Sequence, residues 1–281
     1  MMMRFVWMLM LLLMAGCRAS DDYLERMTRE HAGDRPVAAA AMLLDTSAIP
    51  IVTEEVVYAT LDGKPVKGYL ARPEKAGPDT PGIIVIHEWW GLNDNIREMT
   101  RKLAREGYVA LAVDLYEGKV AETPDNARRY AIEAMQHEAR VRENLRQAYR
   151  YLKEKQGVSR VGVIGWCFGG GWALQTALMM PEQIDAVVIY YGRLVTDPEQ
   201  LSKLKMPVLG IFGAEDRGIP VETVQRFKAI LDSLGTIHEI YIYEGAGHAF
   251  ANPSGTRYVP EAAQDAWKKT VAFLNRYLKS Q

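Results

Sequence analysis

The stretch that most constrains the fold is Val161–Gly171, with the sequence VGVIGWCFGGG. The apolar, β-branched run Val161–Ile164 predicts a buried strand, and the segment Trp172–Met180 predicts a helix. The glycines between them allow a sharp turn. We therefore expect Cys167 to lie between a strand and a helix, where the helix N-terminus favours a thiolate.

The five residues Gly165–Gly169 also suggest a chemical role. Their pattern Gly-Trp-Cys-Phe-Gly fits the nucleophile elbow GxSxG with cysteine in the serine position. In such an elbow the nucleophile is strained and projects above the sheet. A buried structural cysteine in a glycine-rich turn is the alternative, and this short motif alone does not separate the two.

Composition narrows the class of protein. The chain has 281 residues, of which 48% are hydrophobic and 25% charged, which is enough for one large α/β domain with its own core. The formal net charge of −1, with both signs interspersed, argues against a nucleic-acid partner. Cys17 and Cys167 are the only two cysteines, so a disulfide framework is not indicated.

The N-terminus has the pattern of an export signal. Arg4 precedes the apolar run Phe5–Met14, which is too short for a transmembrane helix but typical of a signal peptide. The following LMAGC resembles a bacterial lipobox, whose cysteine is lipidated. We therefore predict a signal peptide over residues 1–16 and a lipidated tether without catalytic role over 17–50. An ordinary signal peptide with an incidental cysteine is the alternative.

These predictions imply a location. A mature chain that begins at Cys17 and carries acyl chains would be anchored to a membrane of the bacterial cell envelope, in the periplasm or on the outer surface. On this prediction the protein binds the membrane through its lipid anchor.

Residues 51–281 are predicted to form the folded domain. The alternating segments Thr53–Thr60 and Lys67–Arg72 predict a hairpin, because Asp62-Gly63 between them is a turn signal. Strands and helices alternate after the hairpin, which predicts a mostly parallel central sheet covered by helices on both faces. Functional residues in such sheets lie beyond the carboxyl ends of the strands.

Three chemically distinctive residues follow three of these predicted strands. Cys167 comes first, Asp216 ends the segment GAED, and His248 ends the segment GAGH. The order nucleophile, acid, histidine is that of the α/β-hydrolase fold. An imidazole can activate a thiol, and a carboxylate can orient the imidazole, so this trio suffices for acyl transfer. Glu215 remains a rival acid, and the histidine and acid could each be simple loop residues.

Together, HEWWGLN after the first core strand, GWCFGG, GAED and GHAFAN resemble the dienelactone hydrolase family from about Thr53 to Leu278. The resemblance implies an α/β-hydrolase fold and a triad of Cys167, Asp216 and His248. It also implies that Glu88 pairs with the thiol in the resting enzyme.

The same resemblance extends to the oxyanion hole and the substrate pocket. It implies that the backbone N–H groups of Trp89 and Phe168 form the oxyanion hole. Trp90, Trp166 and Asn252 are expected to line the substrate pocket. Family members that bind a substrate carboxylate use an arginine four residues after the histidine, where this chain has Asn252, so the preference for carboxylates is expected to weaken unless Arg257 or another arginine substitutes.

We therefore predict a monomeric hydrolase of small carboxylic esters or lactones that forms a thioester acyl-enzyme and needs no metal or other cofactor. A noncatalytic solute-binding lipoprotein on the same fold is the alternative. It would have no need for Cys167, Asp216 and His248 together. A thiol redox protein is disfavoured because no resolving cysteine is left once Cys17 is lipidated.

Overall fold

The computed structural model describes residues 23, 25–34 and 49–279. These residues contain an eight-stranded sheet in the order β1-β2-β4-β3-β5-β6-β7-β8. No helix within these ranges is long and apolar enough to cross a membrane. The predicted signal peptide and the predicted lipidation site Cys17 lie outside the described residues.

The predicted hairpin forms one edge of the sheet. Strand β1 (Ile51–Leu61) pairs antiparallel with β2 (Lys64–Pro73). Asp62 and Gly63 connect them with φ of 50° and 75°, the positive values that a tight hairpin turn needs and that Asp-Gly adopts readily. Strand β2 continues antiparallel onto β4, so the hairpin extends the parallel part of the sheet.

The rest of the sheet is parallel and almost entirely buried. The six strands from β3 to β8 run parallel to one another. Strands β3 to β7 are buried along their whole length, as expected for apolar runs covered on both faces. Their bounds are Gly82–Ile86 for β3, Val109–Val113 for β4, Val161–Trp166 for β5, Ala186–Tyr190 for β6, Val208–Gly213 for β7 and His238–Tyr243 for β8.

Helices pack on both faces of this sheet. On one face α1 (Asp94–Arg105) and α7 (Pro260–Leu278) lie together, with Lys102 over the ring of Trp267 at 4.2 Å. On the other face α3 (Glu138–Arg150) and α4 (Phe168–Met179) are joined by a hydrogen bond from Arg142 to Gln175 at 3.1 Å. The helices are α1 (Asp94–Arg105), α2 (Pro124–Gln136), α3 (Glu138–Arg150), α4 (Phe168–Met179), α5 (Pro198–Leu201), α6 (Val221–Leu234) and α7 (Pro260–Leu278), and a π-helix, Tyr151–Lys155, continues α3.

An N-terminal segment, residues 25–34, folds onto this framework. Residues 25–30 are helical, and a turn follows at 31–33. Tyr23, Met27 and His31 are buried, and their spacing of four places them on one helical face. A Cβ added at Gly218 would lie only 1.7 Å from Cε of Met27, so this face packs against the loop after β7. This part of the predicted tether therefore contacts the domain.

Candidate active site

Cys167 lies in a strained turn between β5 and α4. Its φ of 55° and ψ of −117° belong to a backbone region that only glycine adopts without strain, and such strain is concentrated at functional sites. The flanking glycines make the turn possible. A Cβ at Gly165 would lie 2.1 Å from the carbonyl oxygen of Gly169, and a Cβ at Gly169 would lie 2.3 Å from the carbonyl oxygen of Ile86.

The loops after β7 and β8 bring an acid and a histidine to this turn. Nδ1 of His248 donates to Oδ2 of Asp216 at 2.7 Å. The other oxygen of Asp216 accepts the backbone N–H groups of Gly218 and Ile219 at 2.8 and 2.9 Å. These bonds fix the carboxylate and hence the tautomer of the ring. Glu215, the rival acid, is exposed.

The free nitrogen of this histidine faces the sulfur. A ring nitrogen of His248 lies within 4.8 Å of Sγ of Cys167, and Nε2, the nitrogen that does not bond Asp216, has no hydrogen-bond partner among the residues that the structure describes. The three side chains are 0 to 3% exposed. The structure thus brings Cys167, Asp216 and His248 together in the sequence acid, imidazole, thiol.

The electrostatics favour a thiolate beside an imidazolium. Burial by itself raises the pKa of Cys167, but the imidazoles of His248 and His31 lower that pKa to about 6. Burial opposes the charged form of His248, yet Asp216 and Cys167 raise the pKa of His248 well above its usual value. Opposite shifts of this kind are the signature of an ion pair in a nucleophile and its base.

Glu88 is buried next to the thiol but takes its hydrogen bonds from amides. Its Oε2 accepts from Nδ2 of Asn252 at 2.6 Å and from Nδ2 of Asn95 at 3.5 Å. Burial, together with the negative charge of Cys167, raises the pKa of Glu88 to about 8. The carboxyl group is therefore mostly protonated at neutral pH. Its predicted pairing with the resting thiol has no direct hydrogen bond here.

The loop that carries Glu88 is held by a buried histidine. Nε2 of His87 accepts the backbone N–H of Leu115 at 3.1 Å, so the proton of the neutral ring must be on Nδ1. That atom donates to the carbonyl oxygen of Glu88 at 2.6 Å. Burial lowers the pKa of His87, which keeps the ring neutral. The structure assigns it to positioning the loop.

His31 is the site residue that sequence reasoning missed. Its Nε2 lies 3.7 Å from Sγ of Cys167. Its ring stacks on Trp89 with centroids 4.1 Å apart and meets His248 edge-on at 5.2 Å. The available signal was the four-residue spacing of Tyr23, Met27 and His31, which predicts one apolar helical face.

Arg257 joins the N-terminal segment to the loop after His248. Its guanidinium donates to Asp34 at 2.6 Å and to Glu30 at 3.2 Å. The same oxygen of Asp34 lies 2.8 Å from Nδ1 of His31, and the guanidinium lies 2.9 Å from that ring nitrogen. Burial alone would raise the pKa of Asp34, but the bonds from His31 and Arg257 lower it to about 2. Asp34 is therefore ionised and acts only as an acceptor.

The residues expected to line the substrate pocket lie in different places in the structure. Trp90 and Asn252 line a small cavity beside His31 and Arg257. Asn252 is nevertheless 6% exposed, and its Oδ1 accepts from the N–H and hydroxyl of Ser254 at 2.9 and 2.7 Å. Trp166 lies outside that cavity and packs against Tyr190, with ring centroids 5.4 Å apart, so it belongs to the core. The reason is that Trp166 ends a strand whose side chains are all buried.

The predicted oxyanion hole involves the starts of a loop and a helix. Phe168 is the first residue of α4, so its N–H has no partner within the helix. Trp89 follows β3 and is buried. Both residues flank the site: Phe168 by covalent connection to Cys167, and Trp89 by its stacking on His31. This placement is compatible with the predicted role.

Buried polar atoms without partners cluster at this site. Among the described residues these atoms are Nε1 of Trp89, the hydroxyls of Tyr116 and Tyr191, and Nε2 of His248. The two hydroxyls feel the charge of Cys167, and burial together with that charge raises the pKa of each tyrosine well above its usual value. Buried polar groups are normally satisfied, so four unsatisfied groups around one thiol indicate a place where a polar ligand binds.

Comparison with known proteins agrees with this geometry. Residues 66–278 match the profile of the "Dienelactone hydrolase family". A protein of Saccharolobus solfataricus named "Putative carboxymethylenebutenolidase" is 34% identical over 263 residues, covering 80% of this chain and all of that protein.

Solved structures share the fold. The crystal structure described as "Putative Dienelactone Hydrolase" from Klebsiella pneumoniae subsp. pneumoniae MGH 78578 is 30% identical, with a TM-score of 0.72 over 81% of this chain and 100% of that one. A "Dienelactone Hydrolase-like Promiscuous Phospotriesterase P91" from metagenomic libraries has a TM-score of 0.72 at 22% identity, over 81% and 98% of the two chains, and supports the fold alone. The chain described here belongs to the dienelactone hydrolase family and has the α/β-hydrolase fold of its relatives.

Proposed function

We propose that this hydrolase cleaves small carboxylic esters or lactones with Cys167 as the nucleophile. The observation that carries the proposal is the continuous arrangement of Asp216, His248 and Cys167, with 2.7 Å between the acid and the imidazole and a free Nε2 facing the sulfur. A solute-binding protein would gain nothing from the strained backbone at Cys167, which argues for catalysis.

In the first half of the reaction the thiolate of Cys167 attacks the carbonyl carbon of the substrate. The carbonyl electron pair moves onto the oxygen, and the N–H groups of Trp89 and Phe168 stabilise the resulting oxyanion. The tetrahedral intermediate collapses, and the carbon–oxygen bond to the alcohol breaks. His248 gives its proton to the departing alkoxide, and a thioester remains on Cys167.

In the second half a water molecule attacks the thioester. His248, now neutral, accepts a proton from the water. The second tetrahedral intermediate breaks the carbon–sulfur bond, which releases the carboxylic acid and restores the pair of thiolate and imidazolium. Asp216 remains ionised throughout and stabilises the charged ring.

The substrate must be small and must enter beside the N-terminal segment. Trp89 and Trp90 wall the site with His31 between them and the sulfur. The unpartnered hydroxyls of Tyr116 and Tyr191 offer hydrogen bonds to an ester or lactone oxygen. The names of the family and of its relatives point to the same substrate class.

The test is a panel of short esters and lactones with mass spectrometry of the quenched enzyme. We expect a thioester adduct on Cys167, and a loss on the order of 10⁴-fold or more in kcat for Cys167→Ala and for His248→Ala, because members of such a triad act as a unit. Lys228→Ala, at an exposed helical ion pair, is the control. Full activity of Cys167→Ala would reject the proposal.

We also propose that the protein is an exported bacterial lipoprotein anchored through Cys17. The support is the sequence alone: an apolar signal of the right length followed by LMAGC. Acyl chains at Cys17 would hold the enzyme at a membrane surface, and the residues after Cys17 would place the hydrolase domain beside that surface.

A further inference from the structure

We propose that Cys167, His248 and His31 form a binding site for a borderline-soft divalent transition metal ion such as Zn²⁺, and that the bound ion locks the N-terminal segment over the thiol. The site does not depend on Cys167 being a hydrolytic nucleophile.

The three side chains already have the separations of a ligand set. The ligand atoms, Sγ of Cys167 and one ring nitrogen from each histidine, all lie within 4.8 Å of one another. Tetrahedral zinc with bonds of about 2.3 Å to sulfur and about 2.0 Å to nitrogen has ligand atoms about 3.4 to 3.6 Å apart. The separation of 3.7 Å between His31 and the sulfur is close to that, and a closure of at most about 1.4 Å would bring the remaining pairs to it.

Each histidine is held by a carboxylate in the way that metal-binding histidines usually are. Oδ2 of Asp34 lies 2.8 Å from Nδ1 of His31, which Nη2 of Arg257 also approaches at 2.9 Å, and Asp216 accepts from Nδ1 of His248 at 2.7 Å. In the tautomer in which each acid accepts the Nδ1 proton, Nε2 of the neutral ring carries the lone pair that a metal ion needs. Such carboxylate–histidine pairs orient metal ligands and raise their basicity.

An independent observation points to a ligand at the same place. Nε2 of His248 is fully buried and has no hydrogen-bond partner in the described part of the chain. An ion at the centre of the trio would satisfy it. Two imidazoles and one thiolate favour zinc, copper or cobalt over magnesium and calcium, and three protein ligands leave the fourth tetrahedral position for water.

Binding has a mechanistic consequence. The ion replaces the proton that Cys167 and His248 hold between them, so one proton is released for each ion bound. It also connects the thiol to His31, whose segment is joined to the domain by the bonds from Arg257 to Glu30 and Asp34 and by the packing of Met27 beside Gly218. The metal-bound state cannot form a thioester, because the sulfur lone pair and the base are both occupied.

The test titrates the full chain with Co²⁺ and follows the sulfur-to-cobalt charge-transfer absorption, a readout that needs no enzymatic activity. We expect one equivalent of Co²⁺ to produce this band and Zn²⁺ to displace it. Cys167→Ser should abolish the band. Chelator competition should show Zn²⁺ bound at least tenfold more weakly by His31→Ala, and about 10- to 100-fold more weakly by Asp34→Asn.

The matched control is His238→Ala. His238 pairs with Asp232 at 3.4 Å in another acid–histidine pair remote from the thiol, so its loss should leave the Zn²⁺ affinity unchanged. His31 lies outside residues 66–278, the part of the chain that matches the family. Equal unfolding temperatures of wild type and His31→Ala would verify that the variant is folded. His31→Gln replaces it if the temperatures differ. Absence of the thiolate band in wild type, or wild-type Zn²⁺ affinity in the His31 variant, would overturn the proposal.

Discussion

The guanidinium of Arg257 lies 2.6 Å from the carboxylate of Asp34, although the two residues are 223 positions apart in the chain. This contact ties the N-terminal segment to the loop that follows His248. The same segment places His31 3.7 Å from the sulfur. Access to Cys167, which is 2% exposed, therefore depends on how firmly residues 25–34 are held.

Weakening that contact should expose the thiol. We expect Asp34→Asn to increase the rate of Cys167 alkylation by iodoacetamide about tenfold, because a hydrogen bond between charged groups contributes about 1.5 kcal/mol and 1.4 kcal/mol corresponds to a factor of ten. Glu25→Gln is the control in the same segment, since Glu25 pairs with the exposed Arg29 and not with Arg257. An alkylation rate for Asp34→Asn equal to that of wild type would show that the segment does not limit access.

Glu88 should give the thiol a second pH dependence. Its pKa is raised to about 8 by burial and by the neighbouring Cys167, so a negative charge appears beside the thiolate only above that pH. We expect the alkylation rate of wild type to rise through about pH 6, where Cys167 ionises, and to change again near pH 8. Glu88→Gln should lose the second transition, and an unchanged profile would reject this role.

The same shift predicts an effect on stability. The folded chain holds the Glu88 proton more tightly than the unfolded chain, where the pKa is near 4.5. The contribution of Glu88 to the free energy of unfolding is therefore present below about pH 4.5 and is lost as the pH rises towards 8. Urea unfolding across this range should show the free energy of unfolding of wild type falling relative to that of Glu88→Gln as the pH rises.

The preference for charged or neutral substrates should depend on Arg257. Asn252 cannot replace the family's arginine, because its amide is already bonded to Glu88 and Ser254. Arg257 is present at the same cavity, but Glu30 and Asp34 neutralise it. We therefore expect kcat/KM for a carboxylate-bearing ester to exceed that of its neutral analogue by less than tenfold.

Variants of the ion pairs of Arg257 test this ratio of kcat/KM values directly. Glu30→Gln should shift the ratio towards the carboxylate-bearing ester and Arg257→Gln away from it, whereas Arg276→Gln, at a remote exposed pair, should leave it unchanged. A hundredfold preference of wild type for the acid, about 2.7 kcal/mol at 1.36 kcal/mol per decade, would mean that a carboxylate already binds a cation here without displacing the segment.

The predicted anchor can be tested independently of catalysis. If Cys17 is acylated, the native protein should sediment with membranes, and Cys17→Ser should remain unprocessed and lose the acyl mass. Ser20→Ala is a control three residues further on. A mature N-terminus located elsewhere than Cys17 by mass spectrometry would contradict the prediction.

Local sequence determined the order and type of the elements. Continuous apolar runs predicted the parallel strands, and glycines around Cys167 predicted the elbow, because both signals arise from neighbours within a few residues. The predicted hairpin is confirmed by the antiparallel pairing of β1 and β2. Placing Cys167, Asp216 and His248 after three strands was sufficient to predict their meeting, since parallel strands share one carboxyl edge.

Only the tertiary structure decided which other side chains reach the sulfur. His31 stands 136 residues before Cys167, and no local sequence pattern reports that two residues so far apart in the chain lie close together in space. Asn252, expected to face substrate, instead bonds Glu88 across 164 residues, and Trp166 turns into the core. Periodicity reports which face of an element is buried, whereas the partners on that face are set by long-range packing, which brings the N-terminal segment, the Glu88 loop and the Arg257 loop to a single point.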